Sequence, residues 1–285
     1  MVELTANGVV MRIDPTEGGR IVSLVIAGVE RILPKARARA REPALYWGCY
    51  PMVPWAGRLS EGRIPTVDGE VRLVANLPPS AIHGLGFDKE WKIVNWSKTA
   101  VTMTCGLRGL GWPFGGRARQ TLRLAARSLE LELEVDGYTR AGPAGLGWHP
   151  WFTRPPRTDV HLCVNATEVL VLDADLVPTG EVRQVTEAED LRACPPLGDR
   201  RLDHVYVRAK GPAIVRWPDL ELRLASDASM STVVVHTPVE GICVEPQTMW
   251  PNAPLLAAAG VRGTGLRTLE PGETLDANEE WAWDG

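Results

Sequence analysis

The sequence predicts an all-β protein, built as a sandwich or a barrel. Short apolar runs recur along the 285 residues and alternate with turn residues, a spacing typical of many short strands. Between positions 129 and 135 an apolar residue alternates with glutamate, which is the period of a half-buried strand. Helical periodicity is weak and is found only at residues 188–194 and 255–260. No linker or internal repeat divides the chain, so we expect a single domain over residues 1–285.

The elements can be placed in chain order. Strands are predicted at residues 9–13 and 20–26, because the Asp-Pro and Gly-Gly pairs between them are turn signals. Residues 36–42 are predicted to form a short helix or a loop, and residues 49–58 a buried irregular segment because of their prolines. Residues 63–75 are predicted to form a hairpin that turns at an Asp-Gly pair. Further strands are predicted at residues 91–96, 100–107, 117–126, 129–135, 160–164, 168–172, 203–207, 213–215, 220–224, 232–236 and 242–245.

Charge and hydropathy exclude two classes of partner. The formal net charge of −4 argues against nucleic-acid binding as the main function. Arg37, Arg39 and Arg41 form a small basic cluster, which we interpret as a solvated loop. The longest apolar stretch near the C-terminus, residues 255–261, is too short to span a membrane. We therefore expect neither a nucleic-acid nor a membrane partner.

The cysteines indicate a reducing environment. The five cysteines are scattered and include no CxxC pair, so we expect neither a disulfide framework nor a zinc site. The N-terminus has no basic segment followed by an apolar one, and no signal peptide is expected. Both observations fit a cytoplasmic location. The cysteines are Cys49, Cys105, Cys163, Cys194 and Cys243.

Three stretches each place an ionisable side chain beside glycine or proline, at the edge of an apolar run. They are residues 82–87 (Ile-His-Gly-Leu-Gly-Phe), 147–152 (Gly-Trp-His-Pro-Trp-Phe) and 242–248 (Ile-Cys-Val-Glu-Pro-Gln-Thr). The residue before a proline is pushed into extended geometry, so a stiff backbone aims His149. Histidine titrates near neutral pH, and a carboxylate does so when its surroundings raise its pKa. The set predicts general acid–base chemistry on a small neutral molecule, although each stretch alone is equally compatible with a strand end.

Taken together, the stretches resemble the aldose 1-epimerases, or mutarotases. Short motifs occur here in the order seen in that family, from an early arginine motif to near the C-terminus, and the set is far more specific than any single motif. The motifs are Pro54-Trp55-Ala56-Gly57-Arg58, His83-Gly84 followed by Trp91, residues 147–152, residues 176–181 (Leu-Val-Pro-Thr-Gly-Glu), Leu202-Asp203-His204, Glu245-Pro246-Gln247-Thr248 and residues 269–274 (Leu-Glu-Pro-Gly-Glu-Thr).

The resemblance implies both a fold and a reaction. The fold would be a large antiparallel β-sandwich of the galactose-mutarotase-like type, with an open sugar cleft. The reaction would be the interconversion of α and β anomers of an aldose, without a cofactor. Glu245 would act as the base on the anomeric hydroxyl and His149 as the acid on the ring oxygen, and the two would swap roles on closure. His83 would hydrogen-bond the sugar near the ring oxygen and support charge there.

The same resemblance implies a set of sugar-binding residues. Asp203 would receive hydrogen bonds from sugar hydroxyls, and Arg58 would donate to hydroxyls in the same cleft. Gln247 would share the face of Glu245 in a regular strand, but the proline between them breaks that regularity, so we expect a minor orienting role. Trp148 is also assigned to sugar binding.

Departures from the family pattern affect the identity of the sugar more than the reaction. Gly57 stands where many members have an asparagine, which removes one side-chain amide from the cleft. Trp148 and Trp151 occupy positions where smaller or tyrosine-like residues are common. Other tryptophans could offer a face on which a sugar stacks, although we expect at least half of them to pack in the core. These are Trp47, Trp55, Trp112 and Trp250.

Three other functions remain open. A glycoside hydrolase or lyase would need two carboxylates, such as Asp203 and Glu245, but the acid-like residue of the strongest motif is a histidine. A mutarotase for a 6-phosphorylated or otherwise modified sugar would need a cationic pocket. A non-catalytic sugar-binding protein on the same fold would not need a paired acid and base.

The remaining expectations concern metals and partners. We expect no metal, although His83, His149 and Glu245 form one conceivable triad of ligands. We interpret the other histidines, His161, His204 and His236, as structural. The expected partner is a monosaccharide, and the protein is expected to be a monomer or a homodimer.

Overall fold

The computed structural model describes residues 1–38, 43–155 and 159–284. Over these ranges the chain forms twenty-five strands, one helix α1 (Ala253–Ala258) and 3₁₀ turns at Lys35–Arg37, Pro43–Leu45 and Ser60–Gly62. In chain order the strands are β1 (Val2–Ala6), β2 (Val9–Asp14), β3 (Arg20–Ile26), β4 (Val29–Glu30), β5 (Cys49–Met52), β6 (Arg58–Leu59), β7 (Arg63–Thr66), β8 (Gly69–Arg72), β9 (Ala81–Ile82), β10 (Lys92–Trp96), β11 (Ala100–Gly106), β12 (Gly115–Leu124), β13 (Ser128–Tyr138), β14 (Gly142–Ala144), β15 (Gly147–Thr153), β16 (His161–Cys163), β17 (Glu168–Leu172), β18 (Pro178–Gln184), β19 (Asp203–Val207), β20 (Ala213–Trp217), β21 (Leu220–Ser226), β22 (Thr232–His236), β23 (Gly241–Gln247), β24 (Arg267–Leu269) and β25 (Leu275–Asp284).

Two large antiparallel sheets organise the described residues. The larger has eleven strands in the order β1-β2-β3-β5-β15-β23-β22-β19-β17-β18, with β4 paired to β3. The smaller has eight strands in the order β10-β11-β12-β13-β25-β21-β20-β16. The pairs β6–β9, β7–β8 and β14–β24 form small sheets beside them. The predicted all-β, antiparallel sandwich is therefore confirmed.

The two large sheets pack face to face around one hydrophobic core. Trp148 on β15 donates a hydrogen bond from its indole nitrogen to Gln120 on β12, at 2.9 Å. Phe152 on β15 packs against Trp281 on β25, with ring centroids 5.3 Å apart. Successive side chains of a strand point to opposite faces, so His149 and Trp151 lie on the outer face of the larger sheet. The face that carries the candidate acid is thus the one turned away from the core.

Most predicted strands are present. Strands predicted at 168–172, 203–207 and 232–236 coincide with β17, β19 and β22. The predicted hairpin is β7–β8, although its two turn residues are Val67 and Asp68 and Gly69 already belongs to β8. The alternating segment lies within β13, whose apolar side chains are buried.

Two local predictions are wrong. Residues 188–194 are not helical; the Glu189 carboxylate accepts the Thr186 N–H at 2.8 Å and closes a turn, and Cys194 has a φ of 51°. Residues 49–58 are not wholly irregular, since their first four residues form the fully buried strand β5. The helix predicted near residue 255 is present as α1.

The cysteine prediction is corrected at one pair. Cys163 on β16 and Cys194 form a disulfide, with Cα atoms 4.3 Å apart. The sequence separation of 31 residues gave no spacing signal for this pairing. Cys49, Cys105 and Cys243 are buried and are not part of this disulfide. Because disulfides are uncommon in the cytosol, this pair does not support the expected cytoplasmic location, which stays a prediction.

Two further predictions concern the chain surface. Arg39, Arg41 and the end of the segment predicted at 36–42 lie outside the described residues, whereas Lys35–Arg37 forms a 3₁₀ turn. In the part of the chain that the structure describes, no helix has the length and apolar character needed to cross a membrane.

Candidate active site

A cavity opens on the outer face of the larger sheet and gathers most of the predicted site residues. Glu245, His149, His83, Arg58 and Asp203 all line it. Among the described residues, the rest of its lining is mainly apolar and comes from strands of the sheet and from the loops above them. These further lining residues are Leu45, Tyr46, Gly57, Leu77, Ile82, Trp151, Leu172, Leu176, Val205, Val234, His236 and Pro251.

Strand register brings His149 and Glu245 together. β15 and β23 pair so that Gly147 faces Gln247 and Trp151 faces Cys243. Two residues further along each strand, the same register sets His149 opposite Glu245. The His149 Nε2 and Glu245 Oε1 atoms are 3.4 Å apart, and both side chains are almost completely buried. Two groups that exchange protons therefore converge on one point of the cavity floor.

Aromatic rings surround His149. Its ring lies parallel to Trp151, with centroids 5.5 Å apart, and packs against Tyr50 at 4.8 Å. The His83 ring stands perpendicular to it at 4.9 Å. Burial, followed by the nearby histidines His83 and His236, holds the pKa of His149 well below its ordinary value. The imidazole is thus held in place and kept from carrying a permanent charge.

Arg20 packs against the aromatic residues that surround His149. The sequence did not indicate this role. The buried guanidinium of Arg20 lies over the rings of Trp47 and Tyr50, at 4.4 and 4.6 Å from their centroids. It also donates to the backbone oxygens of Trp47 and Phe87. Burial lowers the pKa of Arg20 to about 10, so the group stays charged at neutral pH. An arginine at the start of a strand carries no local signal for this role.

Glu245 is a carboxyl poised to hold a proton. Only 2% of the residue is exposed. Burial raises its pKa well above the ordinary value, and the neighbouring carboxylate of Asp203 adds to this effect. The positive charge of Arg58 opposes both. A base that would be too weak in water gains strength in this surrounding.

His83 is fixed by its own backbone and by Gly57. The Gly57 N–H donates to His83 Nδ1 at 3.3 Å, while the His83 N–H donates to the Gly57 carbonyl oxygen at 3.1 Å. A ring nitrogen that accepts carries no proton, so the donor nitrogen of neutral His83 is Nε2. Burial and then Arg58 lower the pKa of His83 to about 3, which keeps the ring neutral.

The geometry of Gly57 explains why it replaces an asparagine. Gly57 has a φ of 71°, in the left-handed region that glycine adopts without strain. A Cβ atom at this position would lie 2.6 Å from the Pro251 ring. A side-chain amide here would therefore require Pro251 to move.

Asp203 and His236 form a second polar pair. They face each other in the register of β19 and β22, and His236 Nδ1 lies 3.4 Å from Asp203 Oδ2. The two side chains are in contact without an aligned hydrogen bond, because Nδ1 has no hydrogen-bond partner among the described residues. Burial alone would raise the Asp203 pKa, but His236 and Arg58 together bring it below the ordinary value. Asp203 is therefore an ionised acceptor.

His236 is a lining residue that the sequence analysis interpreted as structural. Its ring meets Trp151 edge-on, with centroids 5.8 Å apart. The signal that could have found it is strand register, since both Asp203 and His236 lie at predicted strand ends. His161 and His204 do not line the cavity; they contact the Cys194 carbonyl oxygen and the Glu189 carboxylate.

The structure does not bring Trp148 and Gln247 to the cavity. Trp148 is fully buried on the core side of β15. Gln247 is fully buried as well, and donates to the Met249 carbonyl oxygen at 2.7 Å. Trp151 is the tryptophan of this segment that lines the cavity. The four tryptophans considered for stacking are buried and absent from the described lining: Trp47, Trp55, Trp112 and Trp250.

One group of side chains in the cavity floor has the donor atoms to hold a metal ion. His149, Cys243 and Glu245 each place one potential ligand atom within 4.8 Å of the others. His83, which the sequence suggested as a ligand, is not part of this group among the described residues.

Comparison with known proteins places this geometry in context. Residues 1–280 match the family described as aldose 1-epimerase. The uncharacterized protein YihR of Escherichia coli K12 is 26% identical over 253 residues, which cover 84% of this chain and 80% of YihR. The uncharacterized protein YphB of the same organism is 31% identical over 115 residues, and this match spans only 39% of the length of either protein.

The fold also matches solved structures. A galactose mutarotase-like protein from Clostridium acetobutylicum superposes with a TM-score of 0.85 at 17% sequence identity. The superposition covers 99% of this chain and 94% of that protein. At this level of identity the likeness concerns the fold, and the chemistry has to be argued from the side chains of the cavity.

Proposed function

Because the chain belongs to the aldose 1-epimerase family, we propose that it interconverts the α and β anomers of an aldose at the cavity around Glu245 and His149. The observation that carries this proposal is the 3.4 Å separation of His149 Nε2 and Glu245 Oε1. The hydroxyl and the ring oxygen of a cyclic sugar are bonded to the same anomeric carbon. A base and an acid that act on them together must both reach one sugar molecule, and two side chains that meet in one cavity can do so.

Ring opening moves two protons. Glu245, as a carboxylate, takes the proton of the anomeric hydroxyl, while protonated His149 gives its proton to the ring oxygen. The bond between the anomeric carbon and the ring oxygen breaks, which leaves an open-chain aldehyde. Rotation about the neighbouring carbon–carbon bond then presents the other face of the carbonyl.

Ring closure reverses both transfers. Neutral His149 removes the proton from the chain hydroxyl that attacks the aldehyde, and protonated Glu245 returns a proton to the aldehyde oxygen. The pair thus alternates between carboxylate with imidazolium and carboxylic acid with imidazole, two states that hold the same number of protons. The raised pKa of Glu245 and the lowered pKa of His149 support the second state.

The remaining polar lining would bind and orient the sugar. Neutral His83 offers its Nε2–H as a donor beside the perpendicular ring of His149, which suits the ring oxygen. The ionised carboxylate of Asp203 accepts from sugar hydroxyls, and the Arg58 guanidinium donates to them. Trp151 and Tyr46 offer ring surface to the carbon–hydrogen faces of the sugar.

The lining favours a neutral sugar over a phosphorylated one. Arg58 is the single arginine in the described lining, and it already balances the charges of Glu245 and Asp203. Recognition of a dianionic phosphate uses several cationic donors. The far side of the cavity presents aliphatic side chains such as Leu172 and Val205 instead.

The other functions have less support. Hydrolysis of a glycoside needs a carboxylic acid and a carboxylate on either side of one bond. Here the partner of Glu245 across the strand pair is a histidine, and Asp203 contacts His236. A protein that only binds sugar has no need to bury an acid and a base side by side, since such burial is costly.

Polarimetry tests the proposal. The optical rotation of freshly dissolved α-glucose and α-galactose should reach its final value faster with the protein than without it. The protein should accelerate glucose 6-phosphate far less. Glu245→Gln, which keeps the size of the side chain, is the matched control and should remove the acceleration. If no neutral aldose relaxes faster, the proposed function is overturned; if glucose 6-phosphate relaxes fastest, the reaction stands but the neutral substrate does not.

A further inference from the structure

A third reactive group lies beside the acid–base pair and has no part in the proposed reaction. Cys243 precedes Glu245 by two residues on β23, so both side chains point to the same face of the sheet. It is not part of a disulfide, and it faces Trp151 on one neighbouring strand and His236 on the other. It is fully buried beneath the cavity floor.

The donor atoms of His149, Cys243 and Glu245 have the spacing of an incomplete metal site. One atom of each residue lies within 4.8 Å of the other two. Ligands of tetrahedral zinc lie about 2.0–2.3 Å from the metal, which puts neighbouring ligand atoms roughly 3.3–3.8 Å apart. The His149–Glu245 distance of 3.4 Å already fits one edge of such a tetrahedron. The two edges to the Cys243 thiol are at most 4.8 Å long, so the sulfur would have to move towards the other two ligands to close the site.

A second observation points to a ligand at this position. His149 is only 6% exposed, yet its Nδ1 has no hydrogen-bond partner among the described residues. No hydrogen bond holds the imidazole at that nitrogen, and a buried polar atom without a partner costs free energy. Metal coordination at Nδ1 would break no hydrogen bond among the described residues, and coordination at Nε2 would place the ion beside Glu245.

We propose that His149, Cys243 and Glu245 bind Zn²⁺ or a similar thiol-seeking divalent cation, and that the bound ion blocks sugar turnover. Imidazole, thiolate and carboxylate are the ligand types that zinc takes in proteins, and three protein ligands leave a fourth position open. That position faces the cavity, through which the ion would enter. Two protons pass to solvent when the metal bonds form, one from the Cys243 thiol and one from the Glu245–His149 pair.

The inhibitory part of this inference rests on the proposed function. A metal ion coordinated by His149 and Glu245 occupies the lone pairs that would otherwise move protons on the sugar. Binding itself depends only on the three ligands, so it can be tested without any sugar.

Cobalt absorption tests the binding. Co²⁺ added to the metal-free protein should give a thiolate-to-cobalt charge-transfer band and the intense visible bands of a tetrahedral site, and Zn²⁺ should displace them. Cys243→Ser should lose the charge-transfer band, whereas Cys105→Ser, which removes a buried free thiol of the smaller sheet, should keep it. No thiolate band in the wild type, or an unchanged band in Cys243→Ser, would overturn the proposal.

Mutarotation tests the inhibition. Saturating Zn²⁺ should abolish most of the wild-type turnover and a chelator should restore it, because the bound ion holds the lone pairs of His149 and Glu245. Cys243→Ser should keep its metal-free activity but resist Zn²⁺; Cys243→Ala serves if the serine variant misfolds by circular dichroism. Equal sensitivity of wild type and variant would overturn the inhibitory site. No turnover of any aldose without metal would contradict the proposed function and leave the cobalt result intact.

Discussion

At the scale of residues, His149 and Glu245 titrate as one unit. Two buried groups 3.4 Å apart lose their protons in steps that belong to the pair. Burial of His149 disfavours its imidazolium and therefore the doubly protonated state, whereas burial of Glu245 and the Asp203 carboxylate disfavour the doubly deprotonated one. The state with one proton is therefore favoured over a wide range around neutral pH.

This pairing gives a prediction for the pH dependence of catalysis. kcat/KM should be flat around neutral pH, fall in acid when both groups are protonated, and fall in alkali when both are deprotonated. Glu245→Gln and His149→Asn should each lower kcat by ~10²–10⁴-fold, because each removes a proton-transfer group. Polarimetry across pH, with circular dichroism as the folding control, measures both effects. A pH profile of kcat/KM with a single transition at the ordinary histidine pKa would contradict a proton shared between the two groups.

His236 should act through Asp203. It lies opposite Asp203 in the pairing of β19 with β22, and its ring packs edge-on against Trp151. We expect His236→Ala to raise KM about tenfold, with a much smaller change in kcat, because Asp203 would lose the polar neighbour that lies 3.4 Å from its carboxylate; tenfold corresponds to ~1.4 kcal/mol. His204→Ala, on the same pair of strands but outside the cavity lining, is the control. A fall in kcat at constant KM would instead place His236 in the chemical step.

At the scale of elements, the strands differ in how visible they are from sequence. β13 alternates leucine or valine with glutamate and was predicted, whereas the ten-residue strand β25 beside it was not. The inward positions of β25 include Ala277 and Glu279, which interrupt the apolar pattern. A buried glutamate makes a core strand hard to predict, because in a pattern of alternating apolar and polar residues a glutamate indicates the solvent-facing side.

Glu279 should make the fold less stable as pH rises. It accepts the Trp281 indole N–H at 2.9 Å, and burial raises its pKa from 4.5 to about 8. The folded protein therefore holds a proton that the unfolded chain releases, so stability is full below about pH 4.5 and is lost progressively up to about pH 8. By linkage, the free energy of unfolding that is lost by pH 7 amounts to about 3 kcal/mol.

The matching variant is Glu279→Gln, which keeps the acceptor for Trp281 and removes the titration. Its Tm should exceed that of the wild type by several degrees at pH 7.5, and the difference should shrink towards pH 5. Glu280→Gln, on the exposed face of the same strand, should show no such dependence. A Tm difference that is equal at both pH values would rule out the titration of Glu279 as the cause.

At the scale of the whole molecule, two sheets share one core and the cavity lies on the back of the larger. The disulfide ties this assembly at one end, because Cys163 lies in β16 of the smaller sheet and Cys194 in the connection between β18 and β19 of the larger. It closes a loop remote from the catalytic pair. Its role is therefore one of stability rather than catalysis.

Reduction of this disulfide should lower stability but not activity. Closing a loop of this length removes unfolded-state entropy worth about 3–4 kcal/mol in the chain-entropy treatment. We expect a lower Tm after reduction and an unchanged kcat at 25 °C. Thiol titration of the denatured, unreduced protein should find three free cysteines and then five after reduction. Five thiols before reduction would show that the pair is not formed.

The sequence by itself determined the fold class, and it singled out His83, His149 and Glu245 as candidates for the site. Strand periodicity and turn residues are local properties, and the short motifs around His83, His149 and Glu245 carry their own backbone constraints. For these residues, neighbours in the chain are enough to indicate both structure and chemistry.

Only the tertiary structure decided which side chains meet. Strand register aligns His149 with Glu245 and Asp203 with His236, and it turns Trp148 into the core while Trp151 faces the cavity. Register arises from pairing between segments far apart in the chain, and a shift of one residue would exchange the two faces of a strand. The same pairing produces three features that no local sequence pattern predicts. They are the position of the Cys243 thiol beside His149 and Glu245, the Cys163–Cys194 disulfide and the burial of Glu279.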